Sequence, residues 1–124
     1  MEVDVVYTKN QIENLSKLIV KAVKPYKVIL FGSYAYGKPT VKSDVDLIVV
    51  MEDQDMSMDD KVEVSHKITQ QRRKNAEWIS SDISILSKND IEARKNDSNS
   101  AVYEALRKGR VMYDDNIQKS RIVR

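Results

Sequence analysis

The chain has 124 residues, enough for one domain with a single core, and its 21 Lys and Arg against 19 Asp and Glu leave a net charge of +2, too near neutral to argue for nucleic-acid binding. With no cysteine and a lone histidine, His66, it cannot build a disulfide framework, a thiolate site or a His-rich zinc centre. MEVDVVYTKN is acidic and lacks the apolar core of a signal peptide, and no run approaches the roughly 20 apolar residues of a spanning helix, so a soluble, cytoplasmic protein without membrane attachment is expected.

Thr8-Lys9-Asn10-Gln11 has the form of a capping box. Ile12, Leu15, Leu18, Ile19 and Ala22 follow at helical spacing, and Pro25 marks the end of that helix. The apolar run from Val28 to Phe31 predicts a first strand, Lys27 to Phe31, that stops at Gly32-Ser33, after which Ser33 to Tyr36 can form one helical turn. Asp46 to Met51 predicts a second strand. The acidic, Met-rich stretch from Met51 to Asp60 has no clear period and predicts a mobile loop, leading to a helix capped at Ser57 that runs from Met58 to Asn75. Its apolar face is thin (Val62, Val64, Ile68), so much of it should be solvated. His66 is expected in a surface or packing role, and Arg72-Arg73-Lys74 reads as a solvated helix end favoured by the dipole rather than as an RNA-binding patch. Trp78 to Leu86, with Ile79, Ile83 and Ile85, predicts a third strand carrying Asp82 in its middle, with Trp78 as partial core or partner contact.

Ser87 to Asp90 opens a short helix, and another starts near Ser98 to Ser100, carries Val102, Tyr103, Ala105 and Leu106, and ends at Gly109. Val111 to Tyr113 predicts a small edge strand, and the polar, basic residues 114–124 a loosely ordered tail. The order of elements predicts an α+β (mixed α/β) fold, a small mixed β-sheet with helices packed against it, in a single domain over residues 1–113.

The candidate chemistry lies between the first two strands. In an extended strand residues i and i+2 share a face, so Asp44 and Asp46 should project together. Two ionised carboxylates side by side repel each other unless a cation sits between them, and Mg²⁺ takes hard oxygen ligands from carboxylates and substrate phosphates. Asp82 joins them if the third strand lies beside the second, and three carboxylates on two strands can hold two metals roughly 3.5–4 Å apart. Gly32 lets the backbone turn sharply and approach a ligand, while the Ser33 hydroxyl and the following amides can hold phosphate oxygens. Read singly, Asp44 could cap a strand, Asp82 could face water at an edge, and Gly32-Ser33 could be an ordinary turn. Jointly they point to a site for a nucleoside triphosphate and divalent metal. Tyr34 and Tyr36 flank the turn, where they either stack on a base or pack beneath it. Gly32 to Lys38 also reads as most of a P-loop, but Pro39 follows the Lys where Ser or Thr is needed, and the strand after Asp44 leaves no room for the required helix.

Gly-Ser, ten residues, then Asp-x-Asp before an apolar strand resembles the nucleotidyltransferase superfamily that includes DNA polymerase β. The short chain is similar to its minimal nucleotidyltransferase branch, the MntA-type antitoxins paired with HEPN toxins. The resemblance spans Ile12 to Tyr113, including Asp82 and the pattern Ala105-Leu106 to Val111-Met112-Tyr113. It implies a polymerase β-like palm in which Gly32 and Ser33 bind the triphosphate and Asp44 and Asp46 ligate two Mg²⁺ ions, Mn²⁺ suiting the same oxygens. Asp82 is implied to ligate the catalytic metal and to help deprotonate the attacking hydroxyl. Many relatives hold a basic residue just before the second Gly of the turn; Tyr36 stands there, leaving Lys38 or Lys42 to supply charge. The implied reaction moves AMP from ATP to a tyrosine of the HEPN toxin and silences its RNase activity, with no direct nucleic-acid binding and with a homo- or hetero-oligomer compatible. Two alternatives stand beside it. One is nucleotidyl transfer to a small molecule such as an antibiotic, where relatives usually carry a further C-terminal domain. The other is a non-catalytic antitoxin that binds its partner through the Met58–Asn75 helix and the Met-rich loop.

Overall fold

Thr8 accepts a hydrogen bond from the Gln11 amide, and the Gln11 side chain accepts one from the Thr8 amide, closing the capping box that starts α1 (Lys9–Val23). The helix ends at Lys24, whose left-handed backbone lets its amide reach the Val20 carbonyl just before the buried Pro25. A computed structural model describes residues 6–75 and 77–117, so residues 1–5 and the basic end of the expected tail, 118–124, lie outside the described residues. After α1 come β1 (Lys27–Phe31), α2 (Ser33–Tyr36), β2 (Val45–Val50), α3 (Met58–Arg73), β3 (Ser81–Leu86), α4 (Lys88–Arg94), α5 (Ala101–Lys108) and β4 (Arg110–Asp114).

The strands form one sheet in the order β3-β2-β1-β4. β1 runs antiparallel to both β2 and β4, while β2 and β3 are parallel and need the α3 crossover between them. The expected mixed sheet is therefore present. Val45, Leu47 and Val49 of β2 pack with Ile12, Leu15 and Ile19 of α1 and with Ile68 of α3 on one face. Ile48 and Val50 point to the other face and meet Val102 and Ala105 of α5. With both faces covered, β2 reads as an unbroken apolar run. Asp46 is its polar exception, and it points to the α5 face.

Three local expectations give way to longer-range bonding. β3 begins at Ser81, not Trp78, because the groups just before it are bonded elsewhere: the Ile79 carbonyl accepts from Arg72 and the Ser80 amide donates to the Tyr7 hydroxyl. Arg72 is thus no solvated helix end. Its Nη1 also donates to Ser81 Oγ at 2.8 Å, its guanidinium lies 4.1 Å from the centre of the exposed Trp78 ring, and burial pulls its pKa down. Second, the stretch after β2 is tied down rather than free. Asp53 and Gln54 carbonyls accept from the Lys88 and Asn89 amides, and Asp55 accepts from the Asn89 side chain. Those two amides open α4 and have no partner within it, which is why the loop is drawn there. Third, β4 extends to Asp114, and the Asp115 amide donates to the Tyr26 carbonyl as the chain enters a helical turn at 115–117.

Of the surface and packing roles open to His66, its exposure fits the surface one. No helix among the described residues is long and apolar enough to cross a membrane.

Candidate active site

Strand register builds the site. Phe31 of β1 lies opposite Asp46 of β2, and Asp46 lies beside Asp82 of β3, so two carboxylates occupy neighbouring positions on adjacent strands. Asp44 stands two residues before Asp46 and shares its face. Asp44 and Asp82 are exposed; Asp46 is half-buried. Partial burial raises the Asp46 pKa, and the charges of Asp82 and Asp44 raise it further, so the three carboxylates act on one another.

The turn after β1 closes onto this group. Gly32 has φ of +75°, and a Cβ placed on it would lie 2.3 Å from Asp46 Oδ2. A side chain there would collide with the carboxylate and strain the backbone, so the glycine is needed on both counts. The Gly32 carbonyl accepts from the Ala35 and Tyr36 amides, which closes the single turn of α2. By helix geometry the amides of Ser33 and Tyr34 at its start are left for another acceptor. No helix follows the second glycine. Thr40 and Ser43 instead exchange bonds in a tight turn directly before Asp44, which agrees with rejecting a P-loop.

The two tyrosines of α2 part company. Tyr34 packs beneath the turn: its hydroxyl accepts from the Tyr7 amide at 3.2 Å, and the two rings lie 6.0 Å apart. Tyr36 stays exposed, with the Lys108 ammonium 5.7 Å from its ring centre. Partial burial raises its pKa, and Glu104 of α5 beside the hydroxyl raises it further. Tyr36 is therefore faced by an acid, while Lys38 and Lys42 are exposed on the following loop.

Several neighbours have no signal in the sequence pattern. Ser80 donates its hydroxyl to Asp44 Oδ1 at 2.5 Å, and Tyr7 holds the Ser80 amide at 2.8 Å. Both partners are distant in sequence, so neither spacing nor periodicity marks them.

Two cavities, of about 600 Å³ between α1 and β4 and about 570 Å³ between α1 and α3, lie away from the carboxylates. Asp44 and Asp82 are instead exposed at the start of β2 and β3.

The family model for the polymerase beta nucleotidyltransferase domain matches residues 13–118. The chain belongs to this nucleotidyltransferase family. A chain of the crystal structure of a toxin-antitoxin with AMP-PNP shares the fold at TM-score 0.51 and 21% identity, over 87% of this chain and 77% of that one. A candidate nucleotidyltransferase from Sulfolobus solfataricus does so at TM-score 0.54 and 15% identity, over 85% and 78%. No curated protein matches the nucleotidyltransferase by sequence.

Among the described residues, no three His, Cys, Asp or Glu side chains, these carboxylates included, are already gathered closely enough to hold a metal ion together. The donor set nonetheless fits a hard divalent cation. It offers hard carboxylate oxygens, the repulsion felt at Asp46 would be relieved by positive charge, and Asp44 and Asp82 are exposed and so accessible to it.

Proposed function

We propose that this nucleotidyltransferase moves AMP from ATP onto a tyrosine hydroxyl of a HEPN-type toxin and so serves as its antitoxin. The observation that carries the reading is the register of Asp46 beside Asp82 with the Gly32 turn seated on the Asp46 carboxylate. In this reading Asp44, Asp46 and Asp82 would hold two Mg²⁺ ions, with Mn²⁺ able to replace them, and that site would supply positive charge to the entering and leaving oxygens of an in-line displacement. Gly32 brings the backbone close to the triphosphate, and Ser33 with the first amides of α2 binds its oxygens. Asp82, the most open of the strand carboxylates, accepts the proton of the attacking hydroxyl. The hydroxyl oxygen bonds to the α-phosphorus, the α–β anhydride bond breaks, and pyrophosphate leaves. The nucleotide and the toxin partner are supported by the sequence resemblance and by a shared fold with a toxin-antitoxin protein crystallised with AMP-PNP.

The exposure of Asp44 and Asp82 favours a macromolecular acceptor over a small one, because the described residues leave both carboxylates open to a docking partner. A second reading, an antitoxin that acts by binding, is favoured by Met58 and Val62. They are 72% and 59% exposed and one turn apart on α3.

Intact-mass spectrometry of the neighbouring HEPN-type protein, incubated with this chain and Mg-ATP, tests the proposal. The expected result is an added mass of one or more AMP units, abolished by Asp44→Ala or Asp46→Ala with the fold intact. Full transfer by either variant would refute the site assignment. No added mass, together with one-to-one silencing of the partner by Asp44→Ala without ATP, would favour the binding antitoxin.

A further inference from the structure

Tyr7 lies just before α1 and touches both halves of the site. Its amide donates to the Tyr34 hydroxyl on α2, the helical turn behind Gly32-Ser33. Its ring stands against the Tyr34 ring at 6.0 Å. Its hydroxyl accepts from the Ser80 amide at 2.8 Å, and Ser80 in turn donates its side-chain hydroxyl to Asp44 Oδ1. The Ser80 carbonyl accepts from the Val45 amide at 3.0 Å, which seats it against the start of β2. One continuous path, Tyr34–Tyr7–Ser80–Asp44, thus joins the glycine turn to the first carboxylate.

We infer that Ser80 and Tyr7 are positioning residues that hold Asp44 in the orientation needed for metal binding and fix its distance from the glycine turn. Asp44 is exposed and precedes the regular part of β2, so the sheet ladder alone does not set its side chain. A hydroxyl donating to a carboxylate oxygen holds that oxygen's rotamer and leaves the other oxygen free to ligate. Groups that orient metal ligands in this way typically contribute about 10–100-fold to metal affinity. Tyr7 acts one step further back. It fixes the Ser80 backbone, and through Tyr34 it ties that backbone to the element bearing Ser33. The inference rests on the proposed role of Asp44 as a metal ligand.

The test is Mn²⁺ binding, followed by electron paramagnetic resonance in the presence of a non-hydrolysable ATP analogue, on the full chain. Ser80→Ala should weaken Mn²⁺ binding about tenfold. Ser80→Thr, which keeps the hydroxyl, should restore most of it. Tyr7→Phe, which keeps the ring contact with Tyr34 but loses the acceptor for the Ser80 amide, should give a smaller loss in the same direction. Because both residues act along one path, Tyr7→Phe should add little in the Ser80→Ala background. In transfer assays the half-saturating Mg²⁺ concentration should rise while the rate at saturating Mg²⁺ changes little. Asp44→Ala separates the layers. If it loses Mn²⁺ and Ser80→Ala does not, the positioning role is wrong and the site stands. If Asp44→Ala binds Mn²⁺ like the parent, the site reading itself falls, and the positioning role with it.

Discussion

Asp46 is the residue on which partial burial and two like charges converge, and burial is the larger reason for its raised pKa. A carboxylate whose folded pKa exceeds its unfolded value binds its proton more tightly in the folded chain. Its contribution to stability is therefore fully present below the unfolded pKa and is lost as pH rises through the folded one. Above both values the ionised group weakens the metal-free fold. Asp46→Asn should accordingly raise the melting temperature of metal-free protein near neutral pH, and the gain should vanish as the buffer is taken below the ordinary carboxylate range. Thermal melts across that range check this, and a gain that persisted in acid would exclude charge as its origin. Asp44 and Asp46 are legible in the sequence from strand alternation and their spacing from Gly32-Ser33, and Asp82 as a lone polar residue within an apolar strand. Ser80 and Tyr7 are not, since Ser80 meets Asp44 across 36 positions and Tyr7 across 73, with no periodic pattern linking them. The fate of Tyr34 and Tyr36 was equally undecidable, because it depends on which element approaches each ring.

Element boundaries show the same division between local and distant causes. The caps at Thr8, Ser57 and Ser87 are each closed by a side chain three residues on, and all three helix starts could be read directly. The start of β3 could not, because Arg72 takes the Ile79 carbonyl and the Ser81 hydroxyl from outside the strand. That fork joins the end of α3 to the entry of β3. Removing it with Arg72→Ala should cost about 2 kcal/mol, the scale of hydrogen bonds to a charged group, measurable by urea denaturation. Arg72→Lys should recover only part of this, since a single ammonium cannot reproduce the planar fork. A full recovery would mean that charge alone holds the helix end. The loop after β2 has bonds that its sequence does not announce, for a related reason. Its composition suggests freedom, yet its carbonyls answer the open amides of α4.

At the scale of the molecule, α3 buries Ile68 and leaves Met58 and Val62 exposed. If that face meets the partner, Met58→Asp combined with Val62→Asp should weaken the complex at least tenfold, about 1.4 kcal/mol, while leaving ATP-analogue and Mn²⁺ binding unchanged. Isothermal titration calorimetry against the partner decides it, and unchanged affinity would clear α3 of the role. The mixed character of the sheet could be expected from the order of elements. Its strand order could not, because the pairing of β1 with β4 joins parts of the chain far apart in sequence. That pairing has a consequence for synthesis. Once Leu86 has emerged from the ribosome, all three carboxylates and the glycine turn exist, and β1, β2 and β3 can assemble. The outer edge of β1 stays bare until Arg110–Asp114 arrives to cover it. A nascent or prematurely terminated chain therefore carries an open strand edge beside the three carboxylates, and that edge is where it is most exposed to pairing with a neighbouring chain.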